Sequence, residues 1–269
     1  MPNPALNEKA FANAANSVAQ TQPGWGAPVP PSGDVASPWT PAAPTSVMTI
    51  NGAVTATAVL LVLLCATSVV SYVGTTSNAL EIQVPWYAWG GMIAGVVFAL
   101  ATIFRPQYAR ITAPLYALSQ GLFVGAISKV YAGQFEGIVL QAVMGTVAVL
   151  GVMLFLHATR ILKVTEKFRR TVIIATCAIA VVYLFDIIFS LFGANVPFIH
   201  ETGLLGIGIS LAIIVVAALN LSLDFDFIER AAAARAPKQT EWYAAFGLVL
   251  TLVWLYLEML RLLSKLQSR

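Results

Sequence analysis

Residues 202–230 read TGLLGIGISLAIIVVAALNLSLDFDFIER. From Thr202 to Leu223 there is no charged side chain. About 20 such residues in a helix span the roughly 30 Å hydrocarbon core of a bilayer. The stretch therefore reads as a membrane-crossing helix, and it ends on two aspartates where lipid should give way to water. Why they stand there bears on whether the protein is a passive bundle or handles ions or protons.

Working outward, the same kind of run recurs. The expected spans are 49–73, 87–104, 111–131, 136–158, 171–193, 202–227 and 243–264, within a transmembrane domain of residues 47–269. They are continuous rather than alternating, so a β-barrel is excluded. Across the 269 residues, 58% are hydrophobic and 10% charged. A soluble domain carries about 25% charged residues. The chain reads as an all-α, polytopic membrane protein with seven transmembrane helices and the lipid bilayer as its surroundings. A net charge of +3 gives no reason to expect a nucleic-acid partner. Residues 1–46, including QPGWGAPVPPSGDVASPWTPAAP, suit neither helix nor strand and read as a disordered Pro/Ala-rich arm.

Orientation follows from Lys and Arg in short loops. Arg105 and Arg110 fall in the second loop, five basic residues between Arg160 and Arg170 in the fourth, and Arg230, Arg235 and Lys238 in the sixth. The first and fifth loops have none. This places the even loops and the N-terminal arm in the cytoplasm. One conflict stands: seven crossings put Arg261, Lys265 and Arg269 outside, unless the last segment is re-entrant. Cys65 and Cys177 lie in apolar runs and read as buried free thiols. His157 and His200 read as interfacial.

The acids within the spans are Asp186, Asp224, Asp226 and Glu258. A charge at the bilayer centre costs roughly 2.5–3.5 kcal/mol on insertion scales, and such residues usually face a partner or a cavity. Asp224 and Asp226 point about 200° apart on a helix, so they cannot share one cavity. Asp226 and Arg230, four apart, suit an ion pair at the surface. Glu258 has two readings. It can pair with Arg261 three residues on, or meet Asp224 across adjacent helices, sharing a proton with it or accepting Ca²⁺ through oxygen ligands. If the last helix entered the bilayer at Trp242, Glu258 would lie about 24 Å deep, too far for Asp224. The pair needs membrane entry near Phe246, with 237–245 interfacial. Enzyme signatures are missing: GIGIS at 206–210 has no Asp, Ser210 has no His by this reading, and no HExxH occurs. No cofactor is implied.

The stretches DFDFIE and WYAAFGLVLTLVWLYLEMLRLLSKL, with NPALNEKAF, YALSQGLFVGAIS and GIVLQAVMGTVAVLGVMLFL, resemble the Bax inhibitor family, in its bacterial branch. The resemblance implies seven helices with the last one central. It also implies a pH-sensitive calcium leak gated by an acidic pair, here Asp224 and Glu258, in a bacterial plasma membrane. Glu258 stands where family members often have aspartate. Arg105 is the closest match to a basic residue that can join the latch, with Arg110 also on offer. Gln120 replaces a family acid. Asp186 and Asp226 are possible further acids of the pathway. The competing expectation is a non-conducting regulator acting through helix contacts on membrane proteases or other partners.

Overall fold

The computed structural model describes residues 47–75, 85–191 and 203–268. The arm expected over residues 1–46 and His200 lie outside them. Seven long helices follow in order: α1 Ile50–Gly74, α2 Trp86–Phe104, α3 Ala109–Gln134, α4 Ile138–Ala158, α5 Glu166–Leu191, α6 Leu204–Ala233 and α7 Thr240–Gln267. Each is long and apolar enough to cross a membrane, and the protein is an integral membrane protein. The bounds differ from the expected spans by at most six residues, at the end of α6. That helix continues past its acids because Phe227, Ile228 and Ala231–Ala233 carry good helix formers and an apolar face down to Arg235, whose positive φ of 51° ends it.

Helix α7 is the core. More than half of its central stretch is buried, against 6% for α5. It packs directly on α1, α3, α4 and α6. Helix α2 packs chiefly on α3, and α5 on α6. Ala245, Val249, Leu255 and Leu260 are fully enclosed along its length. It runs unbroken for 28 residues, about 42 Å at 1.5 Å per residue. Two of the three basic residues at its end have partners in the packing. Arg261 pairs with Glu258 at 2.7 Å, and Lys265 is 6% exposed and donates to Gly206 O and Ser210 Oγ, both at 3.0 Å. Arg261 and Lys265 are thus held by partners within the bundle, and Arg269 lies outside the described residues.

The closest seam lies between α1 and α3, at two glycines. A Cβ on Gly121 would strike Thr67 and the Leu64 carbonyl, and one on Gly125 would strike the Ser68 carbonyl. The bare backbones let Ser68 donate to Gly121 O at 3.1 Å and Ser71 to Leu122 O at 2.6 Å. This is small-residue packing of the kind membrane helices use when no hydrophobic effect separates lipid from protein. By contrast, a Cβ at Gly151 or Gly208 would meet open space.

The start of α1 is fastened to the α6–α7 turn. Met48 N donates to Ala236 O at 2.8 Å, and Val47 bridges Pro237. Glu241, in the first turn of α7 and 5% exposed, accepts from Thr49 N at 3.0 Å and Thr49 Oγ1 at 3.1 Å. A carboxylate at a helix N-terminus satisfies donors that have no partner within the helix and meets the positive end of its dipole. A Cβ at Gly52 would fall on that carboxylate. Cys65 and Cys177 are free, as expected, but exposed on the bundle surface rather than buried. In a membrane that surface faces lipid, where a thiol is as comfortable as in a core.

Candidate functional site

Three of the buried polar residues, Thr251, Glu258 and Lys265, fall in a line along α7. They are seven residues apart. Seven residues turn a helix through 700°, so the three side chains share one stripe. Each has an acceptor or donor on another helix. Thr251 Oγ1 donates to Asp224 Oδ2 of α6 at 2.7 Å. Glu258 Oε1 accepts from the phenol of Tyr183 on α5. Lys265 reaches Ser210 on α6.

The two contacts with α6 fix the register. Fourteen residues separate Ser210 from Asp224 on one helix, and fourteen separate Thr251 from Lys265 on the other. The helices therefore run antiparallel without a slip. Glu258 falls midway, at the level of Ala217 rather than Asp224. The two candidate gate acids are thus not brought together. They stand two turns apart along α7, about 10.5 Å.

Glu258 is 2% exposed. Its Oε1 accepts from Tyr183 and from Arg261 Nη1 at 2.7 Å, and Arg261 Nη1 also donates to the Tyr183 oxygen at 2.6 Å. The guanidinium carbon lies 5.0 Å from the Tyr183 ring centre. Carboxylate, phenol and guanidinium form a closed triangle. Of the two sequence readings for Glu258, the ion pair with Arg261 is the one present. The second carboxylate oxygen, Oε2, is buried with no hydrogen-bond partner among the described residues. An unused lone-pair site on a buried carboxylate is costly, and it is where a proton or a cation would add.

Asp224 is half-buried and accepts from Thr251, with a Cβ position on Gly247 only 3.4 Å from its Oδ1. The missing side chain at Gly247 is what lets the carboxylate lie against α7. Asp226 points elsewhere, as the 200° offset requires. Arg230 Nη2 lies 2.5 Å and Arg169 Nη2 3.1 Å from its Oδ2, which ties the end of α6 to the first turn of α5. Asp186 is half-buried on α5, one turn beyond Tyr183. Arg105 is exposed beyond the end of α2, and no hydrogen bond or ion pair joins it to Asp224 or Glu258. His157 Nε2 lies 3.2 Å from Glu229 Oε1. Asn220 of α6 donates to Thr176 Oγ1 of α5 at 2.7 Å.

No cluster of three or more His, Cys, Asp or Glu able to hold a metal occurs among the described residues. A stable Ca²⁺ site takes 6–8 oxygen ligands. Sequence reasoning missed Thr251, Tyr183 and Lys265. The seven-residue spacing of Thr251, Glu258 and Lys265 is visible in the sequence and could have flagged two of them. Tyr183 gives no such signal, because it lies on another helix.

A family model described as Bax inhibitor 1 like matches residues 3–268, nearly the whole chain. Neither a curated protein nor a solved structure matches.

Proposed function

The chain belongs to the Bax inhibitor 1 like family, and from that premise we propose that it is a cation leak channel, with calcium as the ion and protons as its regulator. The observation that carries the reading is the buried polar stripe on α7, with a carboxylate oxygen of Glu258 left without a partner. Asp224 and Glu258 act as two successive acidic stations rather than as one proton-sharing pair. The structure then corresponds to a shut state. Thr251 occupies Asp224, and Arg261 with Tyr183 occupies Glu258. Protonation of Glu258 removes the charge that holds Arg261, which couples the outer station to pH. No residue is assigned a catalytic role. The membrane is read as a bacterial plasma membrane from the resemblance to the family's bacterial branch, and the N-terminus as cytoplasmic from the Lys and Arg of the even loops.

The closed triangle at Glu258 also supports a second reading. A bundle whose internal charges are tied to one another serves equally as a rigid, non-conducting partner of other membrane proteins. Reconstitution separates the two. Calcium flux into liposomes is measured from about pH 5 to about pH 8, for the wild type and for Asp224→Asn and Glu258→Gln. A pH-dependent flux altered by either substitution supports the channel. Flux no greater than in empty liposomes at every pH refutes it and leaves the regulator.

A further inference from the structure

An internal space lies away from the α6–α7 seam. A groove of about 510 Å³ is walled by α1 and α4 and floored by α3 and α7. Pockets of about 300–1,000 Å³ are the usual size for small ligands. Cys65 and Val69 on one wall and Val143 and Val147 on the other are exposed, so the groove opens sideways on the lipid-facing surface.

Its length matches one leaflet. Along α1 it runs from Leu61 to Tyr72, and along α4 from Val139 to Leu150. Each spans twelve residues, about 16 Å from first to last, or half of the roughly 30 Å hydrocarbon core. One end lies at the last turn of α1 and the first turn of α4, and the other lies near the middle of α1.

Its walls are almost wholly apolar. Ser68 donates to Gly121 O, Ser128 to Val124 O at 2.6 Å, and Thr146 to Ala142 O at 2.8 Å. The Tyr256 phenol is bonded to Ser128 at 2.7 Å. Every one of these hydroxyls is already engaged within the bundle, so the body of the occupant must be apolar. At the surface end the chemistry changes. Lys129 Nζ lies 4.8 Å over the Tyr72 ring, half-buried, and no carboxylate among the described residues pairs with it. An unpaired cation stands at the head of a groove one leaflet long.

We propose that this groove binds one acyl chain of an anionic phospholipid, with Lys129 holding its phosphate. The occupant is argued from length, from the engaged hydroxyls and from charge. It is independent of whether the protein conducts ions.

The test uses the full chain purified in a non-ionic detergent and titrated with phosphatidylglycerol or with phosphatidylcholine. Native mass spectrometry counts the bound lipids. The wild type is expected to hold one phosphatidylglycerol per chain, in preference to phosphatidylcholine. Lys129→Gln is expected to weaken phosphatidylglycerol binding about fivefold and to remove the preference, as one basic side chain near an anionic headgroup should. Val143→Trp and Val69→Trp fill the groove from opposite walls and are expected to abolish retention of both lipids. Thermal unfolding identifies which of the two is folded. Binding of the lipid by a folded groove-filled variant as tightly as by the wild type would overturn the proposal. So would a wild type that keeps no lipid, or one indifferent to headgroup charge.

Discussion

Tyr183→Phe isolates what fastens α5 to the central helix. The substitution keeps the ring and deletes one hydroxyl, which donates to Glu258 Oε1 and accepts from Arg261 Nη1 at 2.6 Å. Both bonds run from α5 to α7. Interhelical hydrogen bonds in membranes average about 0.6 kcal/mol, with a maximum near 1.7, so two lost together predict a cost of about 1–2 kcal/mol. The larger figure of about 3–5 kcal/mol for breaking a buried ion pair does not apply. The Glu258–Arg261 pair is three residues apart within one helix, and helices persist when a membrane protein's tertiary structure is lost, so that pair survives in the reference state. The assay is reversible unfolding in mixed micelles, with Glu258→Gln and the double variant completing the cycle. We predict a coupling between positions 183 and 258 of about 1 kcal/mol. Additivity to within about 0.3 kcal/mol would refute the reasoning and leave the triangle without energetic weight.

The other predictions concern different links. Glu241→Ala removes the acceptor for Thr49 N and Oγ1 and should cost about 1–2 kcal/mol, as loss of a helix cap does; the same unfolding assay should show Glu241→Gln losing less. Gly125→Leu should separate α1 from α3, because the Ser68 carbonyl occupies the space its side chain needs, and should cost at least about 1–3 kcal/mol, read as a lowered thermal midpoint in detergent. If flux is observed, the effects of Asp224→Asn and Glu258→Gln on the logarithm of the rate should add. Two stations about 10.5 Å apart act separately, whereas a shared proton would make the double variant no worse than the more severe single one.

The division between what was legible and what was not follows physical lines. Helix number and approximate bounds were readable because bilayer thickness forces each crossing into a run of about 20 apolar residues. The Asp226–Arg230 and Glu258–Arg261 pairs were readable because three- and four-residue spacings meet within one helix. Contacts between helices were not. Whether Asp224 meets Thr251 or Glu258 depends on the register of α6 against α7, which small residues and a short turn decide together. A shift of two turns separates the two outcomes, and no single-helix pattern encodes it. The close seam of Gly121 and Gly125 was missed for the same reason: glycines at 145, 151, 206 and 208 look equally eligible, and only the packed structure shows which of them have neighbours.

The clasp between Thr49 and Glu241 has a consequence for the order of assembly. Helix α1 is synthesised first and α7 last, and 192 positions separate donor from acceptor. During synthesis α1 must enter the membrane with the Thr49 amide and hydroxyl hydrogens satisfied by water, while the Thr49 hydroxyl oxygen accepts from Gly52 N at 3.0 Å. The final arrangement of the first helix therefore waits for the last one. A chain truncated before Glu241 would carry an N-terminal helix that can insert but cannot lock, which gives a quality-control system a physical difference to read between an unfinished chain and a finished one.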